Sequence, residues 1–264
     1  MLNAGSFFRP LSLPRLIPLA VAVALAALIG CSKDEESPLT PGGPPTTSSF
    51  IGAYVSGGDG GKISVTVNSL TLAPKLRAAS LRAAVVTATG TLNPSGGGSI
   101  ALSGTYNTET DTLNLQGSLY TFAGQYDSLG VPPGIVGGYT GPNGSGIFGC
   151  FSGGPSVVKP YCGSYINATE TVGGRWNFIA IADTAFGGAT FAVGSSSGIT
   201  FEGTITGTGT IRTMSLQGGN PPDLVLTGAG TIDVSTGIAD GTWTLQDNVT
   251  PSTDNGTWDG SLCP

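Results

Sequence analysis

The side chains of this chain that could carry chemistry are four cysteines and sixteen carboxylates, because the sequence contains no histidine. Without histidine, Ser-His-Asp catalysis, Cys-His catalysis and the common histidine-based metal sites are excluded. The cysteines are Cys31, Cys150, Cys162 and Cys263, and their spacing fits no zinc site. The sequence therefore predicts no catalytic residue, no metal site and no cofactor.

The carboxylates fall mainly in predicted turns. Glu109 and Asp111 lie in the turn NTETDT, and three aspartates lie near the last hairpin, within residues 247–259. A glycosidase needs two carboxyl groups about 5–10 Å apart in a cleft, and the sequence marks no such pair. Residues 247–259 are dense in oxygen ligands for calcium, but their spacing does not match an EF-hand loop. Aspartates at hairpin turns are the favoured interpretation.

The first thirty residues have the organisation of a secretory signal peptide. Arg9 and Arg15 precede an apolar run, residues 16–30, that is shorter than the ~20 residues of a membrane-spanning helix. Residues 28–31, LIGC, end this run and resemble the lipobox of bacterial lipoproteins. The resemblance implies diacylglycerol transfer to the Cys31 sulfur, cleavage after Gly30 and acylation of the new amino group. An ordinary signal peptide with an incidental Cys31 is the alternative.

The resemblance also implies a location. Several acyl chains give stable attachment, since each buried CH₂ contributes ~0.8 kcal/mol, and Ser32 is not the Asp that retains lipoproteins in an inner membrane. The implied destination is the outer membrane, with the lipid at Cys31 as the membrane contact. SKDEE at 32–36 further resembles a tag that sends some lipoproteins to the cell surface. Alternatively, these charges only solvate a tether.

Residues 31–49 are interpreted as the lipidated cysteine and a disordered Pro/Ser/Thr-rich tether, because they bury too little to offset chain entropy. Loss of residues 1–30 leaves eight cations against sixteen carboxylates, a net charge near −8. This balance speaks against nucleic acid as a partner, since phosphate neutralisation needs clustered cations.

The remainder has the composition of an all-β protein. Short runs of β-branched and aromatic residues alternate with turn residues, and two copies of one unit of about 100 residues are visible. FIGAY at 50–54 matches YCGSY at 161–165, and both copies later contain a strand ending in LQG. We therefore expect two tandem antiparallel meander barrels or sandwiches of about six to eight strands each. The predicted domains are 50–151 and 161–264, with a linker at 152–160.

Three cysteines remain after lipidation of Cys31. Cys162 lies in the first strand of the second copy and Cys263 follows its last strand, so a Cys162–Cys263 disulfide would close the seam of a barrel. A Cys150–Cys162 bond across the linker is the competing possibility.

Two further patterns carry alternatives. The tryptophans, each preceded by Gly-Arg or Gly-Thr, are Trp176, Trp243 and Trp258. Filling of the barrel interior is favoured over a sugar-stacking platform. LAPKLRAASLRAA at 72–84 could form a short helix or a long loop, capping a barrel or contacting a membrane surface or ligand.

Together these features predict a membrane-anchored envelope lipoprotein whose β modules bind a ligand or an envelope protein partner, adhere or scaffold, and do not catalyse. A hydrolase that acts on carbohydrate through paired carboxylates is the alternative.

Overall fold

The computed structural model describes residues 47–68 and 85–264. The signal peptide, Cys31, most of the tether and the segment 72–84 lie outside the described residues. Within the described part the protein is all-β, and it consists of two tandem closed barrels of eight antiparallel strands each. The predicted fold class is confirmed, and the structure decides for barrels over sandwiches.

Barrel 1 is an up-and-down meander in which each strand pairs with the next and β1 pairs with β8. Its strands are β1 (Thr47–Val55), β2 (Gly60–Asn68), β3 (Val85–Pro94), β4 (Ile100–Asn107), β5 (Thr112–Gly117), β6 (Tyr120–Asp127), β7 (Gly134–Gly141) and β8 (Gly144–Phe151).

Barrel 2 repeats this topology, with β9 paired to β16. Its strands are β9 (Val158–Asn167), β10 (Gly173–Ile181), β11 (Ala185–Ala192), β12 (Gly198–Thr206), β13 (Ile211–Asn220), β14 (Leu224–Asp233), β15 (Ile238–Asp247) and β16 (Ser252–Leu262). Closure pairs every strand on both sides, so neither barrel presents an edge.

The first strands begin slightly earlier than the sequence suggests. β1 begins at Thr47 and β9 at Val158, three residues before the predicted domain starts at 50 and 161. Thr47–Ser49 are small polar residues, which carry little strand signal alone, yet they pair with residues 66–68 of β2. Pairing with a neighbouring strand extends β1 where local composition does not.

Side chains alternate strictly between the two faces of each sheet. In barrel 1 large apolar residues point inward and are almost fully buried, whereas exposed outer positions of β3 carry threonine at 87, 89 and 91. This period of two is the reason the sequence forms half-buried strands. The core of each barrel is therefore its own interior.

The two copies superimpose in register, not only in strand number. Gly52 lies opposite Ile63 in barrel 1, and Gly163 lies opposite Trp176 in barrel 2. At the other end of the meander Tyr139 faces Gly146, just as Trp243 faces Gly256. These inward positions of one barrel therefore have identifiable counterparts in the other.

The outer face becomes apolar where the barrels meet. Strand β1 packs against β9, β10 and β11 there. The buried interface residues are Ala53 and Val55 on β1, with Val158, Ile179, Ala189 and Phe191 on barrel 2, and Ile51 is partly buried beside them. None of the described residues belongs to a helix long and apolar enough to cross a bilayer.

Candidate functional site

An apolar cavity of about 70 Å³ lies inside barrel 2. Its lining comes from all eight strands of the barrel and consists almost wholly of aromatic and aliphatic side chains. The lining residues are Tyr165, Trp176, Phe178, Phe186, Thr190, Ile199, Phe201, Met214, Leu216, Leu226, Trp243, Leu245 and Trp258. Small-molecule sites are likewise concave and lined mainly by apolar side chains, but at roughly 300–1,000 Å³ they are several times larger than this cavity.

The three tryptophans are the largest side chains of this lining. Trp176, Trp243 and Trp258 are buried, which confirms their predicted place in the barrel interior. Each indole N–H donates to a backbone carbonyl of a neighbouring strand: to Ser164 at 2.8 Å, Thr257 at 3.3 Å and Thr242 at 3.2 Å, respectively. Because these donors are satisfied, the indoles offer the cavity only their rings.

Glycines on the next two strands make room for each of two rings. Trp176 lies across Gly163 and Gly260, and a Cβ on Gly260 would come within 2.6 Å of the Trp176 Cζ2 atom. Trp258 lies across Gly230 and Gly241 in the same way, with 2.6 Å between a Cβ on Gly241 and the Trp258 Cε2 atom. The many glycines of this sequence therefore serve ring packing as well as turns.

The cavity opens at one end of the barrel, here called the open end, which is bounded by the loops 168–172, 193–197, 221–223 and 248–251. Toward this end inward residues such as Ile199 and Leu245 are only half-buried, so solvent reaches them through the mouth. At the opposite end Ile232 and Ala239 are fully buried and form a floor. The site is thus a cup and not a tunnel.

Acidic side chains stand at the open end. Asp254 lies opposite Leu245, a lining residue, so both side chains share the inward face. The Asn167 amide nitrogen lies 3.3 Å from Asp254 Oδ2, and the Asn255 backbone N–H donates to Oδ1 at 2.9 Å. Burial raises the pKa of Tyr165, and the nearby Asp254 carboxylate raises it further.

The corresponding half of barrel 1 is closed. Tyr54, Tyr120, Phe122 and Tyr139 fill it, with the Phe122 ring stacked on Tyr139 at 5.4 Å between centroids. The turn between β1 and β2 adds Asp59, which is only 7% exposed. The space in barrel 1 that corresponds to the cup is therefore occupied by these side chains.

Asp59 holds the closing cluster together through hydrogen bonds. The hydroxyl groups of Tyr120 and Tyr54 donate to its carboxylate, as does the Gly60 backbone N–H at 2.7 Å. Burial, and then the hydrogen bond to Asp59, raise the pKa of Tyr120 to about 12. Burial likewise raises the pKa values of Tyr54 and Tyr139, so all three stay protonated at neutral pH.

The register between copies explains the difference. Phe122 lies between Leu115 and Tyr139, and its counterpart Gly228 lies between Leu216 and Trp243. A ring that fills barrel 1 is therefore absent from barrel 2. By the same register, leucine stands at position 226 where barrel 1 has Tyr120.

A wider depression of about 770 Å³ lies on barrel 1, where outward-facing side chains of β4 to β8 form a polar surface. These include Ser103, Asn114, Gln116 and Thr121, and neither this depression nor the cup in barrel 2 is lined by Asp or Glu. The paired carboxylates that a glycosidase needs are thus absent from both linings.

The disulfide that the sequence favours is present, and Cys150 takes no part in it. Cys162 and Cys263 form a disulfide across the β9–β16 seam, with 5.1 Å between their Cα atoms. Cys150 is free and fully buried, and burial raises the pKa of its thiol to about 12. The competing Cys150–Cys162 bond is wrong, because Cys150 points into barrel 1 whereas Cys162 lies on the outer face of β9.

The carboxylates singled out in the sequence do not come together in one site. Asp111 accepts a hydrogen bond from the Tyr106 hydroxyl at 2.9 Å in barrel 1, far along the chain from the last hairpin. Asp247 accepts from the backbone N–H groups of Val249 and Thr250, as a turn aspartate does. Within 47–68 and 85–264 no three His, Cys, Asp or Glu residues group as metal ligands would.

The sequence contains one difference between the copies that bears on the barrel interior. Residues 121–124, TFAG, and 227–230, TGAG, align between the copies and differ only at the phenylalanine. Comparison of the two repeats position by position would have indicated a missing ring in the second.

Comparisons with protein-family models, with curated proteins and with solved structures find no match to this chain.

Proposed function

We propose that this protein is a lipid-anchored outer-membrane lipoprotein whose second barrel binds a ligand with a small apolar group. The observation that carries the binding function is the open, aromatic-lined cup of about 70 Å³ in barrel 2. The anchor rests on LIGC at 28–31, with Cys31 as the lipidated residue. Barrel 1, whose interior is filled, acts as a scaffold beside it.

The size of the cup limits what enters. A buried water needs roughly 10–15 Å³ of such space, so the cup holds a group of about five water-sized spheres. A ligand therefore inserts one small apolar group, and the rest of the molecule extends past the loops of the open end. Burial of that group contributes about 25 cal/mol per Å² of apolar surface.

Titration of small solutes tests the binding function. The full chain carrying Cys31→Ser keeps lipid and detergent out of the measurement, and tryptophan fluorescence reports on the cup. Benzene, 3,3-dimethylbutan-1-ol and tetramethylammonium are small probes. We expect at least one to give a saturable change in fluorescence and a rise in Tm.

Matched variants localise the signal. Thr190→Leu combined with Leu226→Tyr, the filled variant, introduces the barrel 1 side chains Leu92 and Tyr120 into the cup. Thr227→Tyr adds the same ring on the outer face of β14. Binding should vanish in the filled variant and persist with Thr227→Tyr. A wild-type chain that responds to none of the probes, or a filled variant that responds equally, would overturn the proposal.

Labelling tests the anchor separately. Radiolabelled palmitate should enter the wild-type chain in its bacterial host and should not enter a Cys31→Ala variant. Equal incorporation into both would contradict lipidation at Cys31. No observation in either cavity favours the carbohydrate hydrolase, since neither lining contains a carboxylate.

A further inference from the structure

The charge around the cup, together with its aromatic lining, indicates which ligand class it takes. Barrel 2 and its C-terminus, residues 158–264, contain nine carboxylates and three cations. The uneven charge gives this barrel a negative potential that attracts cations and repels anions. Resting on the proposed function, we infer that the cup of barrel 2 binds the methylated ammonium head of an organic cation, of the alkylammonium class.

None of the three cations of barrel 2 is placed to serve the cup. The Lys159 ammonium group pairs with the Asp183 carboxylate at 2.7 Å, and the Arg212 guanidinium donates to the Asp183 carbonyl. Both belong to the end away from the mouth. Arg175 reaches across to barrel 1, where it donates to the Ser95 hydroxyl at 3.1 Å. A ligand anion would therefore find no partner charge in the lining.

Asp254 supplies the opposite sign at the mouth. Its carboxylate faces inward beside the lining residue Leu245, and it forms no ion pair within the described residues. Its recorded partners are neutral donors, the Asn167 amide and the Asn255 N–H, which leave its charge uncompensated. A cation in the cup would supply that compensation.

The lining itself suits a cation without polar contacts. Because the three indole N–H groups are already bonded to backbone carbonyls, the tryptophans border the space with their rings only. One face of Trp176 is covered by Phe178, which stacks on it at 5.2 Å between centroids. The indoles of Trp176 and Trp258 meet at 84° with 5.5 Å between centroids, so two differently oriented rings border the space. Ring faces attract quaternary ammonium groups through their quadrupole, and aromatic cages use this attraction.

Size is consistent with the same class. A trimethylammonium group is compact and carries its charge on a methylated surface, so it loses less hydration on entry than a primary ammonium does. The cup of about 70 Å³ accepts a group of that size, whereas a neutral ligand gains only apolar contact. Charge and shape thus point to one head group.

An isosteric pair of probes tests the inference. Choline and 3,3-dimethylbutan-1-ol have the same shape and differ in the charge of the head. Titrated into the full chain carrying Cys31→Ser, choline should bind about five- to thirtyfold more tightly. Added salt should weaken choline binding and leave the alcohol unchanged.

Two aspartate variants on one strand provide the control. Asp254→Asn should lower choline affinity about fivefold, with alcohol affinity unchanged. Asp259→Asn, on the outward face of the same strand β16, should change neither affinity.

The outcomes separate the two proposals. Equal binding of the two probes, or choline binding that survives in the filled variant, overturns the inferred ligand class. If the alcohol still binds and the filled variant abolishes its binding, the proposed function stands. If the wild-type chain binds none of choline, 3,3-dimethylbutan-1-ol, benzene and tetramethylammonium, both the proposed function and this inference are wrong.

Discussion

Phe122 in barrel 1 and Gly228 in barrel 2 occupy equivalent inward positions, each between a leucine on the preceding strand and an aromatic residue on the next. In barrel 1 the Phe122 ring packs edge-on against Phe148 at 5.3 Å and stacks on Tyr139. In barrel 2 the equivalent residue has no side chain, and a Cβ on Gly228 would already meet the Leu216 side chain at 3.0 Å. The two interiors therefore differ at this position, as they do at Leu226, which lines the cup where barrel 1 has Tyr120.

Removal of that ring should damage barrel 1 severely. Phe122 is 2% exposed, so Phe122→Gly removes a fully packed ring and leaves a cavity. We expect a loss of about 3–5 kcal/mol in the free energy of unfolding, measured by urea denaturation. Thr121→Gly, at the exposed neighbouring position, reports the cost of glycine in a strand, about 1 kcal/mol. Similar losses for the two variants would show that the ring is not part of a packed core.

The glycines beneath the tryptophans should resist substitution. A Cβ on Gly241 would lie 2.6 Å from the Trp258 Cε2 atom and would also press on the Ala229 carbonyl of the next strand. Gly241→Ala should therefore cost about 1–3 kcal/mol and shift the tryptophan emission. The matched control is Gly209→Ala in the β12–β13 turn, where a Cβ meets nothing closer than 3.7 Å. Equal stability of the two variants would argue against the ring–glycine packing.

The disulfide should stabilise barrel 2 strongly. Cys162 and Cys263 lie 101 residues apart, and closing a loop of about 100 residues is worth up to ~4.7 kcal/mol in the chain-entropy model. Cys263→Ser should lower the free energy of unfolding, and a reductant should lower it for wild type but not for this variant. A reductant effect that persists in Cys263→Ser would mean that another cysteine pair carries the bond.

High pH should destabilise barrel 1 through its tyrosines. Their pKa values are raised in the folded state, to about 12 for Tyr120, above the unfolded value of about 10. The folded chain then holds protons that the unfolded chain loses, so stability is complete below about pH 10 and falls as pH rises toward about 12. Each such tyrosine adds a slope of up to ~1.4 kcal/mol per pH unit.

Unfolding in urea at stepped alkaline pH measures this slope. Tyr120→Phe removes one ionising group and should make the slope shallower. The free energy of unfolding at neutral pH should also fall, because the variant lacks the hydrogen bond to Asp59. An unchanged slope would mean that Tyr120 ionises in the folded protein as readily as in the unfolded one.

Much of the architecture follows from local sequence patterns. Alternation of apolar and polar residues, with turn residues between runs, fixes strands and an all-β class, since only one face of each strand can be buried. The repeated FIGAY and YCGSY segments indicate two copies, and the position of Cys162 and Cys263 at the ends of the second copy indicates its seam. These relationships are either local in sequence or lie at the two ends of a repeat, so they can be predicted from the sequence.

The cup and its rim depend on contacts between strands distant in sequence. Whether Trp176 fills its barrel or borders a space depends on side chains from the other strands, such as Thr190 and Leu226 in the lining. Likewise Asp254 has the sequence context of an ordinary hairpin aspartate. Only its pairing with Leu245 shows that its side chain is on the inward face. The sequence by itself determined the strands, the duplication and the motif around Cys31, because each is encoded in local pattern. Only the tertiary structure decided which barrel is full and which is open, because cavity volume is a sum over all eight strands.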